Sequence, residues 1–167
     1  ILKMVLVVHS HKKQSISGKG SSDFIQSNNF GSFSYFSDTP RSKYNGFFIS
    51  QDNDIFKSIE SLNIKGNVTE LRNNFHDVVR KRDKLSETFF LSAHHNSLHY
   101  ELSKKSRFNL ILDCRKANDM RQFGRHYKVY EMDEVIIVEF TKKTDDKEDS
   151  SHDIPEFSLY IAIKSNG

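Results

Sequence analysis

Apolar and polar positions alternate with a period of two along most of the chain. Residues 97–103, 107–114 and 156–164 show this pattern most clearly. Because successive side chains of a strand point to opposite faces, the pattern predicts strands with one buried and one wetter face. The run 134–141 is apolar at successive positions, which predicts a central strand covered on both sides.

The alternation predicts an all-β fold of ten or more strands. The predicted strands span residues 3–9, 23–27, 33–37, 45–50, 57–64, 67–72, 87–93, 97–103, 107–114, 126–131, 134–141 and 156–164. Short polar turns at 65–67, 94–96 and 131–134 separate neighbouring runs, as in hairpins. We therefore predict an antiparallel β-sandwich.

Helix competes with strand in two stretches, because apolar residues recur at helical spacing between 55 and 62 and between 68 and 78. Strand is favoured in both, since the flanking chain is strand-like. We predict one domain over residues 1–167, a fragment of a longer enzyme. Residues 10–23, rich in Ser, Gly, Lys and Gln, and the charged residues 141–155 are predicted to be mobile loops.

The composition excludes several classes of protein. The net charge of +3, from 25 Lys and Arg against 22 Asp and Glu, is too small to indicate nucleic-acid binding. The single cysteine, Cys114, excludes an internal disulfide and a thiolate-only zinc site, and favours a reducing compartment such as the cytoplasm. The longest apolar runs fall far short of the ~20 residues that span a bilayer, so no membrane partner is expected.

Positive charge is concentrated in residues 80–128. This block holds twelve Lys and Arg against five Asp and Glu, which gives 12 − 5 = +7. An anionic partner would explain the excess. Solvated strand edges, on which lysine discourages aggregation, explain it more simply.

Two histidine clusters are candidates for metal binding. His9 and His11 share one face of a predicted strand, and His94, His95 and His99 surround a predicted turn. His9 and His11 lack a third ligand at a suitable spacing. His95 and His99 could converge across a hairpin, but ordinary turn and cross-strand positions explain the second cluster more simply. We predict no metal and no cofactor, and a small metal-dependent β-fold enzyme remains an alternative.

One group of charged residues could be read as an acid–base site. Asp113 and Asp119 lie close in sequence to Arg115, Arg121 and Arg125. Such a cluster more often forms structural ion pairs than a catalytic pair. The chain also lacks a nucleophile elbow and a phosphate-binding glycine loop, so we predict no catalytic residue.

Residues 28–50, NNFGSFSYFSDTPRSKYNGFFIS, are the most informative stretch. Phe33 and Tyr44 offer flat faces, Asn45 an amide and Arg41 a planar fork of donors. These groups suit a sugar, whose hydroxyls need directional hydrogen bonds and whose ring stacks on aromatic faces. The alternative is a tight corner between strands, filled by aromatic residues and with Arg41 in a structural role.

The same stretch resembles the N-terminal domain of prokaryotic and archaeal glycogen debranching enzymes of the amylo-α-1,6-glucosidase type. The family pattern runs Asn-Gly-x-Gly-Gly-Tyr/Phe-Ala/Ser and, after a spacer, Thr-Arg-Arg-x-Tyr-His-Gly-Leu-Leu. The matching residues are Asn28, Gly31, Phe33, Ser34, Thr39, Arg41, Tyr44, Gly46, Phe47 and Phe48. The departures are Asn29, Ser32, Pro40 and Asn45, the last of which replaces the histidine.

The resemblance implies a β-sandwich of the supersandwich kind, placed before an (α/α) toroid that hydrolyses α-1,6 branches with two carboxylates. A chain of 167 residues cannot also hold that toroid, so the chain would be the non-catalytic domain. Its partners would be an α-glucan and the catalytic domain of the same polypeptide, and it would expose an apolar patch towards that domain. Arg41, Tyr44, Asn45 and Phe33 would contact the glucan. A stand-alone carbohydrate-binding or interaction module is the alternative.

Overall fold

A computed structural model describes residues 23–39, 42–74, 76–143 and 156–165 of the protein. These residues form twelve strands and no helix, which confirms the all-β prediction. The strands are β1 (Phe24–Ser27), β2 (Phe33–Phe36), β3 (Gly46–Gln51), β4 (Asp54–Asn63), β5 (Val68–Asn73), β6 (Asp77–Arg82), β7 (Ser86–Leu91), β8 (Leu98–Leu102), β9 (Asn109–Lys116), β10 (Arg125–Met132), β11 (Val135–Lys142) and β12 (Phe157–Lys164). Strand is therefore the outcome in both stretches that also fit a helix.

The strands form three antiparallel sheets. Sheet A has the order β1-β2-β3-β4-β9, sheet B the order β5-β6-β7-β8, and sheet C the order β10-β11-β12. In sheets B and C each strand pairs with the next one in sequence. In sheet A, by contrast, β9 pairs with β4 although all four strands of sheet B lie between them in the sequence.

Sheets B and C pack against the same face of sheet A. Phe47 of β3 lies in the core shared with sheet B. Ile49, two residues on and therefore on the same face, packs against both cores. Phe56 lies opposite Ile49 in the register and belongs to the core shared with sheet C. One layer is thus sheet A, and the other consists of sheets B and C.

The chain crosses between layers at residues 65–67, where the sequence predicted a hairpin. That prediction is wrong, since β4 belongs to sheet A and β5 to sheet B. The physical reason is that β4 already pairs with β3 on one side and with β9 on the other. It has no free edge on which β5 could add.

The sequence prediction also missed β6. Its buried positions are Val78, Arg80 and Arg82, so two of the three inward side chains are arginines and the apolar alternation is hidden. The hairpins predicted around 94–96 and 131–134 are confirmed by the pairing of β7 with β8 and of β10 with β11.

Strand β11 is central in sheet C, as predicted, but only one of its faces is buried. Val138, Phe140 and Lys142 are buried on that face, whereas the alternate residues are half-buried. The predicted strand 3–9 and nearly all of the predicted mobile loops 10–23 and 141–155 lie outside the described residues. Within the residues that the structure describes, no helix is long and apolar enough to cross a membrane.

Candidate functional site

The described residues of 28–48, called here the 28–48 corner, include two rings on the face of sheet A that points away from sheets B and C. Phe33 of β2 lies opposite Phe48 of β3, and Phe48 lies opposite Lys57 of β4. The rings of Phe33 and Phe48 stack with their centroids 4.6 Å apart and their planes within 8°. Although none of the described strands forms a second sheet over this face, Phe48 has no accessible surface.

Phe48 is covered by the loop that precedes β3. The ring of Tyr44 lies 6.4 Å from the ring of Phe48, and the Lys57 ammonium lies 5.5 Å from it on another side. Tyr44 itself is 44% exposed, so one side of its ring faces solvent. The corner therefore presents an aromatic side chain to solvent, backed by a buried aromatic stack.

Asn45 holds this loop in place from inside. Its Oδ1 accepts a hydrogen bond from the backbone N–H of Ser37 at 3.0 Å, and its Nδ2 donates to the carbonyl of Glu60 at 2.7 Å. The residue has no accessible surface. Both polar groups of the side chain are used in the fold, and the predicted sugar contact gains no support at this residue.

Gly46 allows the loop to enter β3 against its neighbour. Its φ is +123°, and a Cβ there would lie 1.9 Å from the carbonyl oxygen of Ile59. No residue with a side chain fits this approach. The match of Gly46 to the family pattern therefore coincides with a strict backbone requirement.

Two buried cations hold the carbonyl of Lys43. Lys57 Nζ donates to this oxygen at 3.4 Å and Arg115 Nη2 at 3.2 Å. Lys57 and Arg115 are 1% and 2% exposed, and they lie opposite each other on β4 and β9. The loop that carries Tyr44 is thus fixed to the middle of sheet A.

At the other end of the corner, Asn28 organises the turn between β1 and β2. Its Oδ1 accepts hydrogen bonds from the backbone N–H groups of Phe30 and Ser32, each at 3.0 Å. Its Nδ2 donates to the carbonyls of Ser92 and His95. This one side chain therefore joins the turn in sheet A to the β7–β8 turn of sheet B.

A second charged network ties the segment after β2 to sheet B. Arg82 forms a bidentate ion pair with Asp38, and the Arg80 guanidinium lies 3.3 Å from the same carboxylate. Both arginines also donate to Glu87, which has no accessible surface and accepts a further hydrogen bond from Tyr100 Oη. Burial and the neighbouring Glu87 carboxylate raise the pKa of Tyr100, so its hydroxyl stays a donor.

The carboxylate of Asp113 is the centre of the ion pairs beside the corner. It accepts hydrogen bonds from Arg115 Nε at 2.8 Å and Arg125 Nη1 at 2.6 Å, while Lys57 Nζ lies 3.6 Å away. Burial alone would raise the pKa of Asp113, but the Arg115 hydrogen bond and the nearby cations outweigh it and hold the pKa below its usual value. The predicted structural ion pairs are confirmed here and at Asp119, which pairs with Arg121.

We expect the ionisation of Asp113 to make the free energy of unfolding depend on pH in the acidic range. Because its folded-state pKa lies below the unfolded value, the unfolded chain takes up the proton first as the pH falls. The stabilisation is present above about pH 4 and is lost as the pH drops through the folded value. Urea unfolding should therefore show a destabilised Asp113→Asn variant at pH 7, with the difference from wild type shrinking below pH 4. The matched change Asp133→Asn, at an exposed turn, should give parallel curves; a pH-independent difference at residue 113 would contradict the expectation.

The basic block 80–128 is only partly a surface feature. Four of its arginines are held in ion pairs within the fold, the buried Arg80, Arg82 and Arg115 and the half-buried Arg125. Neither an anionic partner nor solvated edges accounts for these four. The second predicted histidine cluster lies on the β7–β8 hairpin, and no group of His, Cys, Asp and Glu in the described ranges is arranged to hold a metal ion. His9 and His11 lie outside those ranges.

Of the four residues predicted to contact a sugar, the structure brings three together. Phe33 and Tyr44 both pack on Phe48, Asn45 lies buried behind them, and Arg41 lies outside the described residues. The sequence analysis missed Lys57 and the network of Asp38, Arg80, Arg82 and Glu87, since a charged residue within an alternating strand is normally expected to face solvent. No protein-family model, curated protein or solved structure matches this chain.

Proposed function

We propose that the chain is the non-catalytic N-terminal domain of an α-glucan debranching glycoside hydrolase, which packs on a catalytic (α/α) toroid and shapes its substrate cleft. The observation that carries the proposal is the build of the 28–48 corner. Three of the residues that match the family pattern contribute directly to the structure of this corner. Asn28 caps its turn, Gly46 lies against the Ile59 carbonyl, and Tyr44 is exposed above Phe48.

The chemistry of the corner supports an α-glucan as the ligand. An exposed ring on a fixed loop offers a stacking face at little cost in conformational entropy. Tyr44 provides that face, and the Lys43 ammonium lies 5.1 Å from the centre of its ring. The buried cations beneath the loop are already used by Asp113, Glu60 and the Lys43 carbonyl, so they are not available to a ligand, whereas the Tyr44 ring and the Lys43 ammonium are accessible.

Sheet C supports the presence of a second domain. It exposes apolar side chains on both of its faces: Tyr127, Val129 and Ile136 on the core-facing side, and Tyr130, Met132 and Tyr160 on the other. Val129 is 65% exposed although it lies opposite Val138, which is 4% exposed, so the core-facing side of the sheet extends into solvent. Large exposed apolar surfaces of this kind mark interaction sites. The catalytic toroid is the occupant that the proposal requires.

The proposal predicts that the chain binds glucan through Tyr44 and hydrolyses none. Isothermal titration with glycogen and with branched and linear maltooligosaccharides should show binding, which Tyr44→Ala should weaken about tenfold through loss of the stacking face. Tyr160→Ala is the matched control, since it removes an exposed tyrosine from sheet C. Arg41→Ala tests the remaining predicted contact. A folded chain that binds none of these glucans, or that binds them equally well without Tyr44, would contradict the proposal.

A further inference from the structure

A cleft opens at the edge of the sandwich, away from Tyr44, where the end of β1 meets the ends of β6 and β7. Its volume is about 180 Å³. Gln26 and Asn29 line it from sheet A, and His76 and Phe90 line it from sheet B. It lies between the two layers, where residues of sheets A and B meet.

The polar groups of the wall differ in how far a ligand can reach them. Gln26 Nε2 donates to the carbonyl of Phe89 at 3.2 Å, but the buried Oε1 of the same amide accepts no hydrogen bond from the described residues. This oxygen has almost no accessible surface, so the groups that a ligand can reach are those of the neighbouring wall residues. The side chains of Ser27 and Asn29, also on the wall, are exposed and have no hydrogen-bond partner among the described residues.

The charge of the cleft excludes strongly ionic ligands. No lysine, arginine or carboxylate is among the described residues that line it. His76 Nε2 lies 3.0 Å from Asp77, whose carboxylate also accepts from Asn74 Nδ2 at 2.6 Å. A phosphate would find no cation in the wall, and a divalent cation would find no free carboxylate. The wall suits a neutral ligand with hydroxyl groups, since each hydroxyl both donates and accepts.

Phe90 adds an apolar platform beside these polar groups. It points away from the core, unlike its neighbour Phe89, and is 37% exposed. The His99 ring, which lies opposite it on β8, packs with its centroid 5.4 Å away and supports one side of the ring. A ligand with one apolar face and hydroxyls at its rim matches this combination of ring, amides and hydroxyl.

We propose that this cleft binds a neutral polyhydroxylated ring, a single sugar unit, with the Ser27 and Asn29 side chains bonding to its hydroxyls and Phe90 under the ring. The ligand class follows from the cleft alone and goes beyond the proposed function, because Tyr44 and the 28–48 loop take no part. For a shallow site and a small ligand, the dissociation constant should be of order 1–10 mM.

The test is a titration of the ¹⁵N-labelled chain, followed by backbone amide shifts, with glucose, maltotriose and sodium phosphate as separate probes. Glucose and maltotriose should shift the amides of residues 26–29 and 90–93, and phosphate should leave them in place. Asn29→Ala and Phe90→Leu should each weaken glucose binding at least about fivefold. The matched controls are Asn118→Ala and Phe108→Leu, which change an exposed asparagine in a turn and an exposed phenylalanine elsewhere.

The inference is overturned if these amides do not move with glucose at about 100 mM, if phosphate moves them as strongly, or if the control variants weaken binding equally. Water alone in the cleft would give the first of these results. If Tyr44→Ala abolishes glycogen binding while glucose leaves the cleft amides unshifted, the proposed function stands and the cleft proposal is refuted. If glucose shifts the cleft amides while glycogen binding does not depend on Tyr44, the cleft proposal stands and the proposed function is refuted.

Discussion

Replacing Gly46 with alanine is expected to lower the free energy of unfolding by about 3 kcal/mol or more. The φ of +123° already disfavours any side chain, and the added Cβ would lie 1.9 Å from the Ile59 carbonyl oxygen. Backbone atoms cannot rotate away as a side chain can. The strain must therefore separate β3 from β4 or displace the loop before it. Urea unfolding followed by circular dichroism measures the change.

Gly31→Ala is the matched control, because Gly31 also has a positive φ, of +79°. Its Cβ would lie 3.4 Å from the nearest atoms, in the side chain of Ser50, so only the backbone preference is lost. That loss should be about 1 kcal/mol. Equal effects at the two glycines would show that the contact with Ile59 is not the cause.

Glu87→Gln should be almost as damaging, by about 3–5 kcal/mol. Glu87 is completely buried and accepts hydrogen bonds from Arg80, Arg82 and Tyr100. Without its charge, two buried guanidinium groups face the single carboxylate of Asp38. Arg80 is enclosed further by the rings of Phe24 and Phe89, which lie within 6 Å of its guanidinium, so water cannot reach it easily.

Glu70→Gln provides the comparison for Glu87. Glu70 also pairs with two cations, Arg72 and Lys81, but on the outer surface of sheet B. Exposed pairs contribute little, so this variant should unfold at the same urea concentration as wild type. A small effect at Glu87 would mean that the buried network relaxes to admit solvent.

The fold class could be predicted because most strands bury one apolar face. β12 and β8 show a plain alternation, and their boundaries agree with the sequence prediction to within about one residue. β6 was missed because Arg80 and Arg82 occupy buried positions. Their burial depends on Glu87 and Asp38, and Asp38 is 44 residues from Arg82. No local pattern can report a partner that far along the chain.

The candidate site could be predicted only as a collection of residue types. The sequence places Phe33, Tyr44 and Asn45 near one another, but it does not say which side chains remain accessible. Asn45 bonds to Ser37 and Glu60, and these contacts exist only after β4 has paired with β3. The cleft beside Phe90 depends on two sheets meeting, so a sequence pattern from either sheet alone could not indicate it.

The burial of Asn45 also bears on how the protein ages. An asparagine followed by glycine is prone to deamidation, since the glycine nitrogen can attack the side-chain carbonyl when the backbone is free to bend. In the folded chain both polar atoms of the Asn45 amide are held, so attack requires the corner to open. Deamidation during an opening would leave an aspartate at position 45, where the Ser37 N–H and the Glu60 carbonyl both bond to the amide. The damage would then prevent the corner from closing. Because deamidation is slow compared with reclosing, the lifetime of the protein follows the population of the locally open corner rather than the free energy of global unfolding.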